Sequence, residues 1–418
     1  MQSRLLFKVL QLRKRLWAKP LLYCLMAVVG AFMARIADFW FIGAILPEIT
    51  PDTIQTLLTI ISSSMLAVAT FAVGSMLSAY SSASTAATPR AFALVLADDV
   101  SQIALSSFIG AFIFSIVAIV ALKTGLYGRG GLFVLFSLTL LIFAWVVLTF
   151  VRWVDNIARL GRLSTTIDKA EAAAFDSLEA RRCMPFLGGV KKTPENSLSG
   201  VEIFCPDIGY VQYIDMEDLQ SIASDQGQLI MINAMPGSFL APGRPLVTLN
   251  TSDPADEALK RKIADAFIIG KNRTFEADPR FGLIVLSEIA SRALSPGVND
   301  PGTAIVIIGR FICLFASWSK TVPDEETTEE KYDRVIVPAL SVAEMFNDAF
   351  SAIARDGANA VEVGIRLQKA FVSLSTIDNP DMNQACRAHS RLALERARAH
   401  LKLKEEIALL EEISRSIG

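Results

Sequence analysis

Apolar residues are concentrated in the first third of this chain, in runs of roughly the ~20 residues that cross a ~30 Å hydrocarbon core. These runs predict four transmembrane helices, at residues 20–46, 54–80, 101–122 and 132–152. The fourth is bulky nearly all round, which predicts contact with lipid. Further along the chain, apolar residues recur at helical spacing or in short runs, a pattern typical of soluble segments.

The second predicted span has one face of small or hydroxyl-bearing side chains. Its members recur at a mean spacing of about 3.6 residues, the period of an α-helix. They are Thr56, Thr59, Ser63, Ala67, Thr70, Gly74, Ser78, Ser81 and Thr85. Such a face is either a packing seam, because small residues let helices approach closely, or the wall of a polar path in a cyclic oligomer.

Arg35 and Asp38 lie three residues apart near the outer end of the first span, so they share one face of the helix and can pair. An ion pair inside a membrane is costly and suggests a functional role. The alternative is that both side chains extend to the outer membrane interface beside Trp40.

The charges indicate how the chain is oriented. Residues 1–156 contain 11 Lys and Arg against 6 Asp and Glu. The rest of the chain contains 29 against 36, and this excess of acidic residues argues against nucleic acid as a partner. Basic residues precede the first span and follow the fourth, whereas the loop at 47–53 has none. By the positive-inside rule both termini face the cytoplasm of a bacterial inner membrane, although Lys123 and Arg129 lie in an outward loop.

Four regions follow from these patterns. Residues 1–156 form the transmembrane domain, and 157–200 form a helical extension and a linker. Short apolar runs bounded by Gly and Pro at 201–250 predict a small β domain, similar to a barrel-sandwich fold or to an unrelated β-sandwich. Residues 251–418 predict a helical domain that ends in one long helix. The fold class is therefore a four-span helical membrane protein with a cytoplasmic α+β domain.

The segment SRALSPGVNDPGTA, residues 291–304, separates two apolar helical patterns. Asp300 and the proline after it predict a helix start, because aspartate caps the first amides and the fixed φ of proline suits the first turn. Arg292, Ser295 and Asn299 place polar groups between apolar flanks. They predict either a buried hydrogen-bonded hub or a ligand pocket.

Lys271 and Arg273 lie upstream of this segment, in IGKNRTFEADPRFG. Basic groups near a helix start can bind a small anion. The alternative is a salt bridge to one of three nearby carboxylates, Glu276, Asp278 or Glu288.

Catalytic motifs are lacking in the sequence. His389 and His400 are the two histidines, and on one helix they would lie about 16 Å apart, too far to share a metal. We therefore expect no enzymatic activity, no metal and no cofactor.

The segments GYVQYID, PGSFLAPGRPL, NRTFEADPRFG and RALSPGVNDPGTA, behind a four-span region, resemble the DUF2254 family of predicted bacterial membrane proteins. This resemblance implies the membrane topology and the cytoplasmic domain but no activity. The leading hypothesis is a homo-oligomeric channel or transporter-like protein whose second span lines the path, with an ion or a small anion as ligand. The alternative is a membrane-anchored scaffold or ligand sensor without conduction.

Overall fold

The computed structural model describes residues 17–40, 47, 49–86, 88–96, 98–160, 162–320 and 331–417. The fold is mostly helical, with two β-sheets. The chain divides into two compact units: an N-terminal unit up to Thr166 and a C-terminal unit from Ile167 onward. Residues 41–46 of the first predicted span and the side chain of Thr85 lie outside the described residues.

Among its described residues, the N-terminal unit contains four long helices and one short one. The helices are α1 (Ala18–Trp40), α2 (Pro51–Ala86), α3 (Pro89–Leu96), α4 (Asp99–Lys123) and α5 (Arg129–Leu160). The long helices coincide with the predicted spans, and α2 and α5 extend beyond them. Each of the four contains a stretch long and apolar enough to cross a membrane.

Asp38 caps the start of α5. Its carboxylate accepts hydrogen bonds from the backbone N–H groups of Gly128 (2.8 Å) and Gly131 (2.6 Å). The predicted ion pair with Arg35 is wrong, since no salt bridge joins the two in the part of the chain that the structure describes. Asp38 instead pairs with amides that the start of a helix leaves unsatisfied. A Cβ on either glycine would come within 2.9 Å of this carboxylate, so the approach needs glycine.

The C-terminal unit combines two sheets with a helical bundle. The five-stranded sheet has the order β1-β8-β4-β6-β2, with β8 parallel to both of its neighbours, and the three-stranded sheet has the order β5-β3-β7. The strands are β1 (Gly189–Lys191), β2 (Val201–Phe204), β3 (Gly209–Ile214), β4 (Ile230–Ile232), β5 (Phe239–Leu240), β6 (Pro245–Leu249), β7 (Phe267–Gly270) and β8 (Tyr332–Val337).

Nine helices complete the described part of the C-terminal unit. They are α6 (Leu163–Cys183), α7 (Met216–Gln226), α8 (Glu257–Asp265), α9 (Phe281–Ala293), α10 (Pro301–Trp318), α11 (Val342–Asp356), α12 (Val361–Ser375), α13 (Pro380–His400) and α14 (Lys404–Ser414). The first of them, α6, begins just before the unit boundary. The core of the bundle is aromatic: Phe311, Phe315, Phe346, Phe350 and Phe371 are fully buried.

The structure corrects three expectations for this unit. The sheets extend beyond residues 201–250, because β1, β7 and β8 lie outside that range and pair with strands inside it. The region after 251 is consequently not all helical. The last segment forms two helices instead of one, because the chain turns extended at Leu401 between α13 and α14. That turn lets Leu410 of α14 pack against Leu394 of α13.

Helix α10 is also apolar and long enough to cross a membrane, which makes five such helices among the described residues. Its start matches the sequence prediction. Asp300 accepts a hydrogen bond from Thr303 N (3.1 Å), and Pro301 occupies the first turn. Within its unit α10 packs beside α9 and α12, and its Phe311 and Phe315 rings contact Phe350 and Phe346 of α11.

Candidate functional site

The small-residue face of α2 points away from the rest of its unit. Every member from Thr56 to Ser81 is exposed. The opposite face, which includes Leu58, Ile61 and Met76, is buried against the neighbouring helices. Among the described residues of this unit, nothing therefore packs against this hydroxyl face, Thr56 to Ser81.

The hydroxyl groups on this face bond to the helix that carries them. The hydroxyl oxygens of Thr56 and Thr59 each donate to the carbonyl four residues earlier at 2.8 Å, and those of Ser63 and Thr70 do so at 2.9 Å. This back-bonding satisfies each hydroxyl without water. The face can therefore lie against another helix, and its oxygens can still accept hydrogen bonds from water.

Large apolar side chains border the hydroxyl face on both sides. Leu66 and Leu77 flank one side, Phe71 flanks the other, and all three are more than half exposed. Between them, a Cβ added to Gly74 would meet no atom within 4 Å. The face is thus a shallow groove between two apolar ridges, a shape into which a second helix can pack closely.

The polar turn between α9 and α10 is not a buried hub. Arg292 and Asn299 are exposed, and the hydroxyl of Ser295 donates to the carbonyl of Arg292 at 2.6 Å. Asn299 adopts a positive φ of 51°, a conformation that asparagine tolerates better than most residues. Local geometry explains much of the turn, because Ser295 and Asp300 bond to nearby backbone groups while the side chains of Arg292 and Asn299 are exposed.

Arg273 forms a salt bridge with Asp278, one of its three predicted partners. Its Nε and Nη2 atoms donate to the two carboxylate oxygens at 2.6 and 3.0 Å. Asp278 is 2% exposed and also accepts from the backbone N–H of Arg280 at 3.2 Å. Burial raises the pKa of Asp278 in spite of these donors. Lys271 is exposed and does not take part.

The turn of PGSFL closes against the same carboxylate. Gly237 has a φ of +91°, and a Cβ at this position would come within 2.4 Å of Asp278 Oδ2. Glycine is therefore required both for the backbone conformation and for the close approach. Asp278 thus joins the loop before α9 to the loop before β5.

Arg280 links this region to α11. Its Nε and Nη2 atoms donate to Asp348 at 2.6 and 3.2 Å, and Nη1 forms a further salt bridge with Glu344. Two carboxylates therefore hold one guanidinium in a fixed position.

These groups line a cavity of about 500 Å³ in the C-terminal unit. Four arginines and two carboxylates contribute to its wall. The charged residues are Arg181, Arg244, Arg273, Arg280, Asp278 and Glu344. Met235, Phe239 and Leu340 add apolar surface. We call this space the arginine-lined cavity.

Arg181, at the end of α6, is the most unusual group in the wall. It is 4% exposed, and among the residues that the structure describes it has no hydrogen-bond or salt-bridge partner. Burial lowers the pKa of its guanidinium to about 10, while the charge of Asp278 opposes this shift. A buried cation without a partner is energetically unfavourable.

Sequence reasoning identified Arg273 but missed Arg181, Arg244 and Arg280. The four arginines lie on three different segments, which the fold alone brings together. One signal was present: two of the segments, PGSFLAPGRPL and NRTFEADPRFG, belong to the motifs that carry the family resemblance.

The long apolar helices of the N-terminal unit are those of a membrane protein. The chain belongs to the DUF2254 family of predicted membrane proteins, whose model matches residues 13–373. The uncharacterized proteins Mb1321c of Mycobacterium bovis and Rv1290c of Mycobacterium tuberculosis are each 28% identical to it over 141 residues. The match covers 32% of this chain and 27% of each relative, so it spans about a quarter of their length. No solved structure matches the chain.

Proposed function

We propose that this protein is a homo-oligomeric channel or transporter-like protein of the bacterial inner membrane, in which the hydroxyl faces of α2 from several copies meet around a path. The exposure of this face is the observation that carries the proposal. A helix that met only lipid would gain nothing from a continuous groove of small, hydroxyl-bearing residues. The C-terminal unit then acts as a cytoplasmic regulatory domain.

The proposed topology has four spans, α1, α2, α4 and α5, with both termini in the cytoplasm. An even number of spans places the basic N-terminal segment and the C-terminal unit on the same side. Helix α10 is excluded from the spans because its largest side chains pack into the aromatic core of the bundle. A cysteine at the exposed position Asp225, with Cys313 replaced, should resist a membrane-impermeant thiol reagent in intact cells. Labelling there would contradict the topology.

Ion flux into liposomes tests the conduction step. Ser78→Leu places a large side chain on the hydroxyl face, so it should abolish flux or dissociate the oligomer in native mass measurements. Ser137→Leu is the matched control, since Ser137 is an exposed serine on α5, outside the hydroxyl face, and its hydroxyl donates to the carbonyl four residues earlier as that of Thr70 does. Flux and mass that respond equally to both variants would contradict the proposal.

A ligand sensor that does not conduct is the second candidate, and the arginine-lined cavity favours it. Four arginines around one space can bind an anion without any ion path. Under this function the wild-type protein shows no flux for any common ion, and the α2 groove serves assembly alone. Neither candidate includes an enzymatic step.

A further inference from the structure

We infer that the arginine-lined cavity binds a small molecule that carries a phosphoryl group, with Arg181 and Arg244 as the groups that contact the anion. This rests on the second candidate function, an anion sensor, and names the ligand class; the binding requires neither conduction nor oligomerisation.

The first argument is the distribution of charge. Arg273 and Arg280 are each held by carboxylates, through Asp278 and through Asp348 with Glu344. Arg181 and Arg244 form no salt bridge in the described parts of the chain, although Arg181 lies within reach of the charge of Asp278. The four arginines face three carboxylates, Asp278, Asp348 and Glu344, so the group carries a net charge of +1, which favours a bound anion such as a phosphoryl group.

The second argument is the burial of Arg181. An arginine that is 4% exposed needs a counter-charge or a set of acceptors to offset its lost hydration. Because the guanidinium lines the cavity, an anion bound there would supply both. Guanidinium groups fit phosphate oxygens in pairs, which makes arginine well suited to this role.

The third argument is the rigidity and shape of the wall. Asp278 and Asp348 fix the arginines that they bind, and Arg244 donates to the carbonyl of Phe239 at 3.1 Å. The exposed ring of Phe239 and the side chain of Leu340 leave apolar surface beside the cations. A space of about 500 Å³ falls in the range of small-molecule sites. It therefore has room for an organic group beyond the phosphoryl.

Calorimetry and thermal melting of the full chain in detergent test this site, with inorganic pyrophosphate as the probe. Wild type should bind the probe and melt at a higher temperature. Arg181→Gln should weaken binding roughly 10- to 100-fold. Without the probe, the same variant should melt at the wild-type temperature or above, because it removes a buried charge that has no partner. A structural arginine would give the opposite result on melting.

Arg244→Gln and Arg391→Gln complete the comparison. Arg244 is exposed at the cavity, so its variant should fold normally and bind pyrophosphate more weakly. Arg391 is exposed on α13 outside the cavity, and its variant should bind like wild type. Equal binding by wild type, Arg181→Gln and Arg244→Gln would overturn the site. The site would also be overturned if Arg391→Gln lost as much pyrophosphate binding as Arg181→Gln and Arg244→Gln.

Two further probes test whether the bound anion is a phosphoryl group and whether it belongs to a lipid or to a soluble molecule. Citrate that binds as tightly as pyrophosphate would overturn the phosphoryl assignment. Micelles containing phosphatidylglycerol distinguish a lipid headgroup from a soluble phosphate. If they stabilise wild type but not Arg181→Gln while pyrophosphate does nothing, the phosphoryl group belongs to a lipid. Absence of stabilisation by either phosphate source would contradict the inference.

Discussion

The two units differ in the large apolar side chains that they leave exposed. In the C-terminal unit the largest aromatic side chains, such as Phe350 and Phe371, are fully buried. In the N-terminal unit, Ser106 and Ser115 are fully buried, whereas Leu141 of α5 is 65% exposed. The N-terminal unit buries Phe108 and Trp153 as well, and the large apolar side chains on its surface are of the kind that lipid accommodates. The surface of each unit thus reflects a different solvent.

Helix α10 shows why this comparison is more informative than hydropathy alone. By length and composition it qualifies as a span, as α2 does. Its aromatic side chains, however, pack inward with Phe346 and Phe350, in the manner of the C-terminal unit. Val306 is the one large apolar side chain of α10 that is strongly exposed, whereas α2 exposes several, among them Leu66 and Phe71. This difference supports the proposal that α10 is a core helix.

Removal of Asp278 should have the largest effect on the C-terminal unit. Asp278→Ala leaves Arg273 partly buried without its carboxylate, and breaking a buried pair costs about 3–5 kcal/mol. Asp168→Ala removes an exposed partner of Arg310 and should cost less than about 1 kcal/mol. Denaturant unfolding of the full chain in detergent measures both. Similar decreases in the free energy of unfolding for the two variants would show that Asp278 does not stabilise this region more than an exposed carboxylate does.

A smaller, pH-dependent effect is expected at His389, which lies among Phe346, Phe350 and Phe371. Burial, aided by the charge of Arg396, lowers the pKa of His389 from 6.5 to about 4. The unfolded chain therefore takes up this proton at a higher pH than the folded chain. The free energy of unfolding should be unaffected above pH 6.5 and should fall by up to about 3 kcal/mol as the pH drops to 4.

Unfolding of His389→Leu across that pH range checks this prediction. The variant should lose that part of the pH dependence, because it has no proton to gain. His400→Leu on the same helix is the control and should keep it, since His400 is exposed. A slope that survives in His389→Leu would assign the effect to other groups.

The smallest stability changes are expected for two Gly→Ala variants, which distinguish contacts within a chain from contacts between chains. A Cβ at Gly282 of α9 would lie 2.4 Å from the Cβ of Ala174 of α6, so Gly282→Ala should cost about 1–3 kcal/mol. Gly74→Ala meets nothing in its own chain and should leave unfolding of the monomer unchanged or raise its stability by up to about 1 kcal/mol. Melting of both variants at low protein concentration tests the contrast. A large loss for Gly74→Ala would indicate an intrachain contact.

Sequence alone predicted the long helices, because each apolar run is close to one membrane thickness and each amphipathic run has one buried face. It also predicted four strands between 201 and 250 from their short apolar runs. It missed the parallel pairing of β1 with β8, which lie about 140 residues apart. It also missed the break at Leu401, which contains no glycine or proline.

The two candidate sites also differ in how far the sequence predicts them. The hydroxyl face of α2 is visible in the sequence because one helix carries all of it at a regular spacing. The arginine-lined cavity is not, because α6, the loop before β6 and the loop before α9 each supply part of it. Arg181 in particular lies in an ordinary helical pattern, which gives no sign that its side chain is buried.

Cysteine cross-linking along α2, in native membranes and without the five native cysteines, tests most directly whether copies meet at the hydroxyl face. Single cysteines at Ser63, Thr70 and Ser78 should form linked dimers, because these positions face a second copy. Cysteines at the buried positions Met65 and Ala72 should not. The account would be contradicted if the hydroxyl face gave no dimers, or if the exposed position Leu141 on α5 cross-linked as efficiently.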